Sequence, residues 1–186
     1  MDLKTIIYEH QAVVEKLLTS SIEDVKEIAD FCREAVRRGN TVFLCGNGGS
    51  AADCQHIAAE FVGRFVKERK GLPAVALTTD TSAITAIGND YGYKNVFKRQ
   101  VESLVKQGDI LIAISTSGNS ESVLMAVEAA RENGATTIGF TGLNPSKLSS
   151  LADVCLKVPS TVTARIQECH ILVGHMICQY IDEDYE

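Results

Sequence analysis

His56 and Glu60, four residues apart, are the first place where this sequence could do chemistry. On a helix, positions i and i+4 lie about 40° apart on one face, so an imidazole and a carboxylate can converge on one metal ion or one substrate atom. Just upstream, Val42-Phe43-Leu44-Cys45 is an apolar run suited to a buried parallel strand. The run breaks at Gly46-Asn47-Gly48-Gly49 and resumes as a helical segment opened by Ser50. Strand, glycine turn and helix start in that order make an anion site, because glycines let the backbone approach a ligand and the first helical turn has free N–H groups. Each signal also has a plainer reading. Glycine turns join many strands to helices without binding anything, and a His/Glu pair at this spacing is commonly a solvated helix pair. The turn matches neither the G-x-x-x-x-G-K-[ST] of a nucleoside-triphosphate loop nor G-x-G-x-x-G.

The elements that must position these residues follow from hydrophobic periodicity. Residues 3–38 read as two helices, ended by Arg37-Arg38-Gly39. After the His56 helix come a short strand at Ala74–Leu77 and the polar run Thr78–Ser82, then a break at Gly88–Gly92 and a helix from Val96 to Lys106. Ile110–Ile114 is the most apolar strand and ends in the hydroxylic loop Ser115–Ser120. A helix closed by Gly134, a strand at Thr136–Phe140, a short helix near Pro145–Leu151 and a strand at Val154–Val158 complete the alternation. This pattern predicts an α/β fold: a five-stranded parallel sheet with helices on both faces. Ligands bind beyond the carboxyl ends of such strands. Those ends carry Gly46–Ser50, Thr78–Ser82, Ser115–Ser120 and Thr141-Gly142, rich in hydroxyls and backbone N–H groups suited to a phosphate. A last helix, about Thr161–Asp184, is apolar nearly all round and predicts a subunit interface. It carries Gln167 and His175, about 80° apart round the helix, which by spacing alone read as satisfied structural residues.

Composition narrows the function classes. A length of 186 residues fits one domain, and a net charge of −6 argues against general nucleic-acid binding. The amphipathic, acid-bearing N-terminus does not read as a signal peptide, and no apolar run reaches the ~18 residues of a membrane span. The six cysteines form no C-x-x-C, and all but Cys54 sit in apolar contexts; they read as reduced core thiols of a cytoplasmic protein.

Four stretches together resemble one family. CGNGGSAADCQH at 45–56, GND at 88–90, STSGNS at 115–120 and ARIQECHILVGH at 164–175 are similar to the sugar isomerase (SIS) family, and more narrowly to its phosphoheptose isomerases. The resemblance spans essentially the whole chain, 1–186, with 1–38 as an N-terminal helical oligomerisation segment. It implies a homotetramer with active sites at subunit interfaces and one zinc ion per subunit, held by His56, Glu60, Gln167 and His175. It further implies that Ser115, Thr116, Ser117 and Ser120 grip a sugar phosphate. Asn47, Gly48, Gly49, Ser50, Asn89 and Asp90 would meet the rest of the substrate, together with Glu60 and Gln167. The implied reaction converts sedoheptulose 7-phosphate to D-glycero-D-manno-heptose 7-phosphate through an enediol, the first step towards ADP- or GDP-heptose for bacterial lipopolysaccharide or capsule. Such chemistry needs a base at carbon, for which Glu60 is the candidate, and an acid–base partner near the two oxygens, for which His175 is. The main alternative is a non-catalytic SIS protein that binds a replication-initiator partner. Those proteins share the glycine loop but lack the residues corresponding to Glu60 and His175.

Overall fold

The computed structural model describes residues 2–185. Helices α1 (Leu3–Ser20) and α2 (Ile22–Arg37) precede a five-stranded sheet of β1 (Val42–Gly46), β2 (Ala74–Ala76), β3 (Ile110–Ile114), β4 (Thr136–Thr141) and β5 (Val154–Lys157). Helices α3 (Gly49–Val62), α4 (Thr81–Tyr91), α5 (Lys98–Leu104), α6 (Glu121–Glu132), α7 (Lys147–Leu151) and α8 (Thr163–Asp182) surround it. The strand order is β2-β1-β3-β4-β5 and every pairing is parallel, as the alternating pattern predicts.

Pleating sends alternate side chains to two cores. Val42, Leu44, Ile110, Ile112 and Ile114 pack on one face with residues of α2, α3 and α8. Phe43, Cys45, Leu111 and Ala113 pack on the other with α5 and α6. β1 and β3 are neighbours, yet the chain leaves them in opposite directions across the sheet. Their carboxyl ends therefore open a crevice at the switch point of the strand order. The glycine turn and the hydroxylic loop both emerge there.

Three local expectations change. Gly88-Asn89-Asp90 is not a break: α4 runs through it to Tyr91, started by the Asp80 carboxylate, which accepts the Ala83 N–H at 2.9 Å. Gly88 has an ordinary backbone and room for a Cβ, so nothing forces the helix to stop before Gly92, where φ is +82°. The expected helix at Val96–Lys106 shortens to Lys98–Leu104 after a 3-10 turn at Tyr93–Asn95. Helix α3 starts at Gly49, one residue earlier than Ser50, with Gly48 as its cap at φ +58°.

All six cysteines are free, and five are buried. Cys54 is fully buried, and Cys155 is the one that reaches towards solvent. Burial pushes the Cys32 and Cys45 thiols up to about 12, so they stay neutral packing groups. Helix α8 is covered largely by its own chain, with only Thr163, Ala164 and Gln179 exposed. Its apolar circumference reflects packing against α2, α3 and the sheet. What remains is a half-buried stripe that carries Gln167 and His175.

Candidate active site

Helices α3 and α8 lie side by side, running the same way from the glycine turn. Their closeness has a local cause at Gly174: a Cβ there would sit 2.5 Å from Ile57 Cδ1. With no side chain at 174, the next residue comes to the face of α3. His175 Nε2 is 3.3 Å from His56 Nε2, which is 3.2 Å from Glu60 Oε1. The two imidazoles meet edge to face, and Phe65 stacks on His175 with ring centroids 5.4 Å apart. All three ligand-type atoms lie within 4.8 Å of one another. The His/Glu pair is therefore not a simple solvated pair, because a second helix brings a third donor to it.

Gln167 stands two turns earlier on α8, at the other end of the contact. Its amide packs over the start of α3, so that a Cβ on Gly49 would meet its Nε2 at 2.6 Å. Ser50, in the first turn, is buried. Asn47 sits in the turn itself, giving an N–H to Ser122 Oγ at 3.1 Å and accepting the Tyr93 hydroxyl at 2.7 Å. Asn89 and Asp90 are exposed at the end of α4 and hydrogen-bonded to each other.

Within the hydroxylic loop the roles divide. Ser115 is turned inward: its Oγ accepts the Gly118 N–H and donates to Ser120 Oγ, both at 3.1 Å. Thr116 is half-buried and Ser117 exposed. The Thr116 carbonyl accepts the Gly142 N–H, fixing the loop to the end of β4. Asn119 braces the loop from outside, accepting the Lys147 N–H while its amide donates to the Ser117 carbonyl. Thr116, Ser117 and Asn119, with Gly142, Asn144 and Thr163, border a cavity of about 400 Å³. A groove of about 500 Å³ along α2 lies instead at the amino ends of the strands, beside Gly108, Ile110 and Thr136, and belongs to no part of this site.

Arg69 and Asp182, which brace the end of α3, had no local signature. The Arg69 side chain is almost wholly buried; it binds Asp182 at 2.6 Å and donates to the Glu60 and Phe61 carbonyls at the end of α3. Burial pulls the Asp182 carboxyl up, but the Lys67 and Val66 N–H groups and Arg69 outweigh it and hold the carboxyl below its usual range. Asp53 precedes His56 by three residues on α3, so the helical spacing could have revealed it. One of its carboxylate oxygens is buried with no partner among the described residues, and burial raises its carboxyl against the pull of His56.

The SIS domain profile matches residues 7–142. A phosphoheptose isomerase of Aliarcobacter butzleri is 54% identical over 175 residues, covering 94% of this chain and 93% of that protein. This chain belongs to the phosphoheptose isomerases of the SIS family. The solved structure of the phosphoheptose isomerase from Neisseria gonorrhoeae superposes with a TM-score of 0.92 at 43% identity, covering 97% of both chains. That from Francisella tularensis gives 0.94 at 35% identity, over 97% of this chain and 96% of the other. The family assignment thus extends beyond the profile match to both ends of the chain. The initiator-binding alternative finds no support in these relatives.

Proposed function

We propose that this chain isomerises sedoheptulose 7-phosphate to D-glycero-D-manno-heptose 7-phosphate, supplying heptose for bacterial surface polysaccharide from the cytoplasm. The observation that carries the reading is the meeting of His56, Glu60 and His175 between α8 and α3, the helix that starts at the glycine turn of the sheet's switch point. Backbone N–H groups at the starts of α3 and α6 and the hydroxyls of Thr116, Ser117 and Ser120 hold the phosphate, with no lysine or arginine in the loop itself. Ser115 acts from behind by holding Ser120 and Gly118. Asn47, Gly48, Gly49, Asn89 and Asp90 line the path of the sugar chain.

Glu60 removes the proton from the carbon beside the carbonyl and returns it to the neighbouring carbon. His175 moves a proton between the two oxygens as the enediol forms and collapses. The donor set suits a zinc ion. His56 has one Nε2, facing both a carboxylate and a second imidazole nitrogen, and a single N–H there can satisfy only one of them. Glu60 Oε1 and His175 Nε2 stand 3.2 and 3.3 Å from His56 Nε2, and all three donor atoms lie within 4.8 Å of one another, close enough to converge on one ion. His56, Glu60 and His175 would hold the ion, with Gln167 as a fourth, weaker ligand. Bound there, zinc supplies polarisation of the carbonyl and stabilisation of the enediolate charge. Glu60 would then serve both as a ligand and as the base.

The test is a coupled assay with sedoheptulose 7-phosphate before and after chelation and zinc restoration, with Glu60→Gln alongside. Activity should fall on chelation and return with zinc, and Glu60→Gln should be inactive. Turnover indifferent to chelation would remove zinc; near-normal turnover in Glu60→Gln would remove the base.

A further inference from the structure

The segment from α4 through the 3-10 turn bears Asn89 and Asp90, proposed above to meet the substrate, yet α4 has no buried residue. Ile84 and Ile87 pack only partly against the core, and the firm anchor comes afterwards, where Val96 and Phe97 are buried. Among the described residues, one side-chain hydrogen bond joins Thr81–Asn95 to anything beyond its own cap. It runs from the Tyr93 hydroxyl to Asn47 Oδ1 at 2.7 Å. The backbone geometry behind it is well defined. Gly92 turns the chain at φ +82°, and its carbonyl accepts the Asn95 N–H at 3.0 Å, setting Tyr93 over the glycine turn.

Tyr93 is 57% exposed, so its hydroxyl could be solvated as well as bonded. A hydrogen bond in such a place contributes little to stability. Its consequence is geometric. A side-chain amide has two oxygen lone pairs and two N–H bonds. Tyr93 takes one lone pair of Asn47 and Ser122 takes one N–H, from opposite ends of the amide. The group is thereby fixed about its last torsion, with one acceptor and one donor left over. That remaining pair matches a sugar hydroxyl, which both donates and accepts. The same two bonds link the three parts that hold the substrate: the segment bearing Asn89 and Asp90, the glycine turn, and the first turn of α6 behind Ser120.

We infer that Tyr93 is a positioning residue, whose hydroxyl pre-orients the Asn47 amide for a hydroxyl of the sugar and sets the α4 segment in register with the phosphate loop. This rests on the proposed reaction and on Asn47 as a substrate ligand. An unheld amide must be ordered each time substrate binds, and that cost appears in affinity.

The experiment is a double-mutant cycle in steady-state kinetics with sedoheptulose 7-phosphate, using the wild type, Tyr93→Phe, Asn47→Ala and the double variant, with thermal melts of each. Tyr93→Phe keeps the ring and removes only the hydroxyl. It should raise KM about threefold to tenfold with kcat nearly unchanged and no material loss of thermal stability. Asn47→Ala should raise KM at least as much. The double variant should match Asn47→Ala, because without the amide the hydroxyl has nothing to hold. An unchanged KM in Tyr93→Phe, beside an impaired Asn47→Ala, overturns the inference and leaves the reaction standing. So does a lowered melting temperature with unchanged KM, which marks a structural role. Additive losses overturn it too, since Tyr93 would then act on the substrate independently of Asn47. An unaffected Asn47→Ala removes both Asn47 as a ligand and Tyr93 as its support. A wild type inert towards sedoheptulose 7-phosphate takes down the proposed reaction and the inference together.

Discussion

His170 shows how one residue can matter to the site without touching it. It lies fully buried on α8, between Gln167 and His175, its ring against Phe140 and its Nε2–H donating to the Thr141 carbonyl at 3.2 Å. Thr141 precedes Gly142, whose N–H holds the Thr116 carbonyl, so the ring links the metal-type helix to the phosphate-type loop. Nδ1 is buried with no partner among the described residues, which a neutral ring tolerates and an imidazolium does not. Burial accordingly pushes the His170 pKa down to about 4, against a smaller upward pull from the Thr141 carbonyl. Between about 4 and the ordinary 6.5 the unfolded chain binds the proton and the folded chain refuses it. The contribution to stability is therefore complete above pH 6.5 and falls as pH drops to about 4, by roughly 3 kcal/mol in all. Melting curves taken across that range should show His170→Gln flatter than the wild type, even if less stable at pH 7. Parallel curves would mean that the ring is not held neutral.

At the scale of elements, the approach of α3 to α8 decides whether the site exists. Gly174→Ala gains up to about 1 kcal/mol of helix propensity. It also forces a Cβ to within 2.6 Å of Ile57 Cγ1 inside a packed core, and overpacking of that kind costs about 1–3 kcal/mol. The variant should be destabilised by about 1–2 kcal/mol on balance. More tellingly, it should bind zinc more weakly and turn over more slowly, because His175 moves with the helix. Zinc titration by competition with a chelating dye, beside a melt, separates the two effects; unchanged zinc affinity would show that helix spacing does not set the cluster. The sequence carries this contact only as a bare glycine between Val173 and His175. Strands, glycine turn and hydroxylic loop were legible because their signals are local: a run of apolar residues, a glycine cluster, a capping hydroxyl. The path through Gly88 was misread because glycine signals a break only where the backbone needs one. Burial of α8 within its own chain and the buried Arg69–Asp182 pair were beyond reach, since each depends on a partner more than a hundred residues away. Spacing put His56 and Glu60 on one face as a candidate pair, and only the family resemblance added His175 and Gln167 to them.

At the scale of the whole molecule, α1 is the element that one chain leaves unfinished. It has 18 residues, and only Leu17 is buried. A helix of that length is marginal in water unless a face of it packs. One face is tied to α8, where Arg165 donates to the Ile6 carbonyl and His10 meets Glu168 at 2.7 Å. Elsewhere on α1, Leu3, Ile7 and Leu18 are 76%, 59% and 61% exposed and fall within about 60° of one another round the helix. A stripe of that kind fits the homotetramer that the family resemblance implies, with the N-terminal helices of neighbouring copies covering one another. Replacing Ile7 and Leu18 together by glutamate places charge on the stripe while leaving Leu17 and the α8 contacts in place. Sedimentation should then show a smaller species, with near-native helix content by circular dichroism. If the active sites lie between subunits, isomerase activity should fall with assembly and recover as rising protein concentration restores it. A variant that keeps the wild-type mass would place the subunit contacts elsewhere. One that dissociates yet retains full activity at every concentration would place each complete active site within a single chain.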